Sequence, residues 1–434
     1  MGGIVVSLMQ TLVIPLLPRF PQLLGSSPGD TTWVITSTLL ASAVATPVVG
    51  RLGDMYGKRR MLLVSLMMLI GGSVVAALSY SLVPMIVGRV IQGLAVGVIP
   101  LGISIMRDEL PVERLASATA LMSASLGVGG ALGLPAAAFL AEQSDWHNLF
   151  WTSAAAGVIV LVAVLVVVPE SPVRSGGRFD FLGAVGLSVA LVCLLLGVSK
   201  ASTWSAGTTT GLFGGAAVVL AVWGWWELRS REPLVDLRTT ARRQVLLTNI
   251  ASAVFAFSMF AQSLVLPQIL QLPASTGHGL GQSLLVTGLV LVPSGLVMMA
   301  TAPVSARITT ARGPRVTLML GTVVVALGYG AGIFLMTAVW HLVVVSAVIG
   351  AGIGLAYGAM PALIMSSVPT SETAAANSLN TLMRAIGTST SSAVAGVVLT
   401  QATIPFSFKL IMALGAATAL LACVVAAFIP RRQA

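Results

Sequence analysis

The stretch Gly50–Arg60, GRLGDMYGKRR, decides how this chain is read. It joins two long apolar runs, near 31 to 49 and 61 to 79, through a turn holding Arg51, Lys58, Arg59, Arg60 and one acid, Asp54. Gly50 can bring two helices into close contact, and Gly57 suits a turn whose backbone angles other residues resist. Asp54 can cap the following helix or pair with a nearby cation. A basic anchor at lipid headgroups would explain the cations. It would not explain the glycines, Asp54, or a degenerate second copy in which Pro47, Gly50, Arg51, Leu52, Gly57 and Arg59 recur as Pro303, Ala306, Arg307, Ile308, Gly313 and Arg315.

Three more stretches recur in the same order at a slowly drifting offset. Gln10 to Pro15 answers to Gln262 to Pro267; Gly93, Gly97 and Pro100 answer to Gly354, Gly358 and Pro361; Leu126 and Gly127 answer to Ile386 and Gly387. Repeats of this kind mark two halves packed around a central pathway.

The chain is 56% hydrophobic and 8% charged, with a mean hydropathy of +0.99, which would leave far too much apolar surface wet in a soluble domain. The solvent is lipid. Apolar runs of about 20 residues, enough to cross a ~30 Å hydrocarbon core, fall near 2 to 18, 31 to 49, 61 to 79, 83 to 106, 115 to 141, 149 to 168, 181 to 199, 208 to 227, 245 to 272, 282 to 306, 316 to 338, 341 to 366, 374 to 399 and 405 to 429. The expected fold is all-α and integral to the membrane, with fourteen helices. A six-helix bundle spans 1–168, two linker helices with polar connections lie in 169–244, and a second six-helix bundle spans 245–434.

A net charge of +10 and a pI near 10.8 raise the question of nucleic acid. Position answers it: 18 of the 23 Lys and Arg fall in the connections on one side. The positive-inside rule makes that side, and both termini, cytoplasmic. Trp33, Trp146, Trp151, Trp204 and Trp340 fall near the outer ends, and Trp223, Trp225 and Trp226 mark an inner end, as indole rings at headgroup level should. Cys193 and Cys423 lie inside apolar runs and suggest no disulfide. The first run lacks a basic n-region and a small-residue cleavage site, so it reads as a span with a trimmed start rather than a cleaved signal.

GRLGDMYGKRR is similar to the cytoplasmic loop signature of the major facilitator superfamily. With Leu8 to Pro18, LMQTLVIPLLP, and fourteen runs, the chain resembles that superfamily's fourteen-spanner drug:proton antiporters over nearly its whole length. The resemblance implies that Gly50, Asp54, Gly57 and Arg59 control an inside gate, with Asp54 in a charge contact between the halves to Arg107. Thr310 replaces the acid in the second copy. Met9 stands where the family's first-helix motif has an aspartate.

Arg89, in VGRVIQG, is costly in hydrocarbon and is either functional or a buried structural partner; the resemblance implies proton relay or gating. Gln92 shares its helix face. Arg384 has Asn380 four residues earlier on the same face, and either helix-to-helix bonding or substrate contact would suit it. Gly127, Gly129, Gly130, Gly133 and Pro135 give the fifth helix a flat, bendable face. They are similar to the family's antiporter signature, except that the expected Gly-Pro pair is split by Leu134. Gln10, Gln92, Asn249, Phe257, Phe260, Gln262, Tyr357, Asn380 and Arg384, with Phe255 and Met360, are the candidate lining of an apolar, aromatic chamber. All 13 acidic residues map to loops or helix ends, so no carboxylate is expected to be deeply buried. Asp30, opening the second run, and Glu142, with Asp145, are the proton candidates that remain; a helix N-cap role competes for Asp30. No metal-ligand spacing, nucleophile or phosphate loop is present, and an enzyme is not expected.

These readings converge on a monomeric exporter of small amphiphilic molecules in the cytoplasmic membrane. It would exchange them for protons and use no cofactor or nucleic acid. An uncoupled or lipid-moving facilitator, and a non-transporting sensor or scaffold on the same fold, are the rivals.

Overall fold

The computed structural model describes residues 2–13, 16, 19–171, 174–200, 204–276, 279–401 and 404–430. Among them there are helices and connections but no strand. Hydrocarbon offers backbone N–H and C=O groups no partner, and a helix satisfies them within one segment.

The long elements are α1 (Gly2–Thr11), α2 (Trp33–Tyr56), α3 (Lys58–Ala77), α4 (Leu82–Glu109, tightened at Ala95–Gly97), α5 (Val112–Gln143), α6 (Asn148–Val167), α7 (Phe181–Lys200) and α8 (Ala206–Arg229). They are followed by α9 (Arg243–Gln271), α10 (Leu284–Ala300, continued by Ala302–Arg312), α11 (Pro314–Phe334), α12 (Val339–Met365), α13 (Thr373–Gln401) and α14 (Ile404–Ala427). Helices α2, α5, α9, α10 and α12 each carry a proline in their interior, which membrane helices tolerate better than soluble ones.

Twelve helices among the described residues are long and apolar enough to cross a membrane, against the fourteen expected. The two that fall short are α1 and α13. The ten residues of α1 rise only about 15 Å, half of what a span needs. Helix α13 has 29 residues but also Asn377, Asn380, Arg384 and a run of Ser and Thr, so its composition is too polar for lipid contact. It is accommodated by protein instead, packed along α9 and α2.

Within the first six helices α4 packs on α2 and α3, α3 on α6, and α1 on α5. In the last six, α11 packs on α12 and α14, and α9 on α13 and α14. The two groups meet along two seams, α2 with α13 and α5 with α10 and α12. Helix α7 covers the first seam, with Leu187, Leu191 and Leu195 buried against Ala43, Leu379 and Leu382. Its partner α8 is mostly exposed, as are Val166, Phe181 and Phe334 elsewhere, which suits a surface bathed in lipid. Association between helices then rests on close packing and hydrogen bonds, since lipid is as apolar as the helices it surrounds.

Candidate functional site

The motif turn is built by Gly57, whose φ of +117 lets α2 end and α3 begin without a linker. Gly313 takes a φ of +85 at the matching place between α10 and α11. The arginines two residues on behave alike: Arg59 donates to the carbonyl of Leu165 near the end of α6, and Arg315 to that of Ala427 at the end of α14. Each copy of the motif therefore ties its turn to the last helix of its own group.

Among the described residues, the first copy also hydrogen-bonds across the seam between α2 and α13. Asp54, fully buried, accepts from the N–H groups of Ala374 (3.2 Å) and Ala375 (2.8 Å), the unpaired donors opening α13. Gly50 lets α13 approach, since a Cβ there would meet the Ser378 hydroxyl and, at 2.8 Å, the Ala374 carbonyl, while Gly53 makes room for Leu101 of α4. Thr310, the counterpart of Asp54, bonds only to Ala306 and Arg307 in its own helix.

Arg107 was expected to pair with Asp54 directly. It instead donates to the carbonyl of Val368 (2.9 Å) and the hydroxyl of Thr373 (2.5 Å), so Asp54 and Arg107 grip the same α12–α13 connection from two sides. The cation nearest Asp54 is Lys58 at 3.8 Å, and Lys58 makes its closer pair with Asp108 at 2.6 Å. Ser171 also donates to Asp108, at 2.5 Å. A cleft of about 350 Å³ opens beside this latch, lined by Arg51, Arg231, Asp236 and Glu372, so its flank is wet while Asp54 and Lys58 are dry.

Sequence reasoning missed this burial. Asp54, Asp108 and Glu227 are each shielded from solvent, contrary to the expectation that no carboxylate is buried. Glu227 and Asp180 both lie within 2.6 Å of where a Cβ on Gly183 would stand. Helix ends look exposed in a hydropathy profile, yet the 171 and 234–235 connections fold over these ones. The adjacent Arg107-Asp108-Glu109 triplet was the available signal.

Arg89 is 2% exposed and donates to the Val34 carbonyl (3.1 Å) and to Gln92 (2.7 Å); Gln92 in turn donates to Ser73 (2.7 Å). The chain links α4 to α2 and α3. Among the described residues no carboxylate lies within ion-pair distance of Arg89 or Arg384. A buried charge without a counter-ion is costly, so removing it need not weaken the fold. Arg89→Met is expected to keep a thermal unfolding midpoint within a few degrees of the parent while transport falls by about tenfold or more. A large drop in the midpoint with transport per folded molecule unchanged would show a structural role instead.

The second polar cluster joins α9, α12 and α13. Asn380 donates to Asn249 and Ser252 (both 2.9 Å) and accepts from Arg384 (2.8 Å), whose guanidinium lies 4.6 Å from the Tyr357 ring centroid. Gln262 is buried on α9, with its backbone N–H bonded to Tyr329. Phe257 and Phe260 are half-buried on the same helix. Phe255 and Met360 are fully buried in the core of the last six helices and line no chamber.

Asp30 is exposed and is not the N-cap; Ser27 caps that turn and donates to Asp30 at 2.7 Å. The side chains of Gln10 and Glu142 lie outside those described. On α5 the small residues serve two faces. Gly129 and Gly133 receive α1, while Gly127 and Pro135 meet α10.

Helices long and apolar enough to cross a bilayer repeatedly, and a turn duplicated between two groups of helices, define a multi-pass membrane protein built from two related halves. A family model described as the Major Facilitator Superfamily matches residues 1–392 and again 248–434, and the chain belongs to that family. An uncharacterized MFS-type transporter of Mycobacterium tuberculosis is 27% identical over 301 residues, covering 68% of this chain and 44% of that protein. The chain thus spans under half the length of that relative. The tetracenomycin C resistance and export protein of Streptomyces glaucescens is 29% identical over 419 residues, 92% of this chain and 74% of that one. Among solved structures, the human organic anion transporter MFSD10 (TETRAN) superposes with a TM-score of 0.68 at 16% identity, covering 98% of this chain and 97% of the other, which shows a shared fold.

Proposed function

We propose that this protein exports small amphiphilic molecules by alternating access, in exchange for protons, as a fourteen-spanner drug:proton antiporter of the cytoplasmic membrane. On this reading α1 and α13 also cross, completing six-helix bundles in 1–168 and 245–434, with α7 and α8 between them. Both termini face the cytoplasm. The protein works as a monomer in the lipid bilayer, without cofactor, metal or nucleic acid.

The observation that carries the reading is the one-sided latch: Asp54 and Arg107 hold the start of α13, and among the described residues Thr310, the counterpart of Asp54, bonds only within its own helix. A contact made by one copy only can open and close one end of the molecule. The export named for the tetracenomycin C relative supports the direction. Asp54, Asp108 and Glu227 are carboxylates shielded from solvent, the kind of group proton exchange needs. Met9, buried in α1 where the family motif carries an acid, favours a second reading, an uncoupled or lipid-moving facilitator.

The test uses the full chain in liposomes with a lipophilic dye and an imposed pH gradient. Dye movement that the gradient accelerates, and that an ionophore abolishes, is the expected result. Movement that persists after the gradient is collapsed supports the facilitator, and absence of any movement sinks transport of that dye class.

A further inference from the structure

The polar cluster between α9, α12 and α13 has a fixed direction. Arg384 can only donate, so Asn380 must turn its carbonyl oxygen toward it, and its amide then points at Asn249 and Ser252. Asn249 must answer with its own carbonyl oxygen. Its Nδ2 is left facing away, and no acceptor meets it; Arg384 Nε is likewise unmet. Reversing either amide would set N–H against N–H, so this polarity follows from the guanidinium itself.

The buried Arg384 guanidinium and the Asn249 amide, 5% and 3% exposed and joined through Asn380, thus each keep one unmet donor, with no carboxylate in ion-pair distance among the described residues. A cluster that is rich in donors and short of acceptors lacks one thing, an anion. Arg89 offers a contrast. Its Nε reaches a carbonyl and its Nη1 an amide oxygen, whereas Arg384 Nε meets no acceptor. Tyr357 and Thr381, beside Arg384, are half-buried, and the Tyr357 ring gives the guanidinium a flat apolar wall.

Building on the transporter reading above, we propose that Arg384 and Asn249 form the subsite for the anionic oxygen group of the substrate, so that the preferred cargo is an amphiphile carrying a carboxylate or an enolate. The same chemistry could come from a lipid phosphate, and the probes separate the two sources.

The full chain in detergent is titrated with 1-pyrenebutyrate, its methyl ester and 1-pyrenebutylamine, which share one apolar body; binding is read by energy transfer from tryptophan to pyrene. The acid is expected to bind about tenfold more tightly than the ester, and the amine most weakly. Arg384→Gln is expected to bring the ratio of acid to ester affinity close to one. Should that variant unfold, Asn249→Asp serves: it places a carboxylate where the anion belongs and is expected to abolish the acid preference. A parent protein that prefers ester or amine, or an acid preference that survives both substitutions, overturns the proposal. So does displacement of the acid by unlabelled phosphatidylglycerol at equal or lower concentration, read as loss of the energy transfer, which would mark a lipid site. Preferential acid binding without movement of either probe across liposomes sinks the transport reading and leaves the anion subsite standing. Movement without acid preference does the reverse.

Discussion

Asp54→Ala is expected to open the motif end of the molecule. In the closed seam both oxygens of Asp54 accept from the first amides of α13, at 3.2 and 2.8 Å, in a fully buried setting. Alanine leaves two donors without a partner and removes the charge that complements the positive end of that helix. The loss is about 2–4 kcal/mol of support for the closed seam, or a factor of roughly 30 to 1000 in the balance between closed and open. Lys58 keeps its pair with Asp108, and Arg107 keeps the Val368 carbonyl, so the turn stays folded while the seam loosens. Spin labels at Tyr56 and Thr370, on either side of the seam, would report a longer and broader distance. Asp54→Asn retains one acceptor and should fall between the two. Thr310→Ala, which removes bonds only within its own helix, should leave the distances unchanged. Equal behaviour of the Asp54 and Thr310 variants would refute the latch.

Much of this was legible in the sequence because it is local. The glycine at 57 announced a positive φ, most apolar runs announced their helices to within a few residues although those near 2 to 18 and 31 to 49 missed the observed ends by seven, and the repeat announced that Gly313 and Arg315 would copy Gly57 and Arg59. What could not be read were contacts set by tertiary packing. Asp54 finds its partners 320 and 321 residues away, as the cap of another helix rather than in an ion pair with Arg107. Asp108 and Glu227 lie at helix ends, where polarity suggests water, but connections distant in sequence cover them. Helix α13 looked like a span by its length. Its Asn380 turns out to serve α9, while Asn377, Thr381, Thr388 and Thr390 bond back within α13, a division that composition alone cannot show.

The second seam yields the other large effect. Where α5 crosses α10, Gly127, Ala131 and Pro135 oppose Gly288, Gly295 and Met298 with little between the backbones. A Cβ on Gly295 would strike the Ala131 methyl and sit 2.5 Å from the Gly127 carbonyl oxygen, atoms that cannot move without shifting a helix. A Cβ on Gly127 strikes chiefly the Met298 side chain, which can swing to another rotamer. Gly71 has open space where its Cβ would be. Overpacking against backbone costs about 1–3 kcal/mol, and in a membrane no hydrophobic force draws the helices back together. Gly295→Ala is therefore expected to lower the thermal midpoint of the purified protein by several degrees and to cut transport by about tenfold or more. Gly127→Ala should show a small fraction of that effect and Gly71→Ala almost none. If the two halves move against each other along α5 and α10, the Gly295 variant should also slow exchange between the seam states read by the Tyr56 and Thr370 labels. An order in which Gly127→Ala is the more damaging would mean that the methionine, and not the backbone approach, sets the geometry of the crossing.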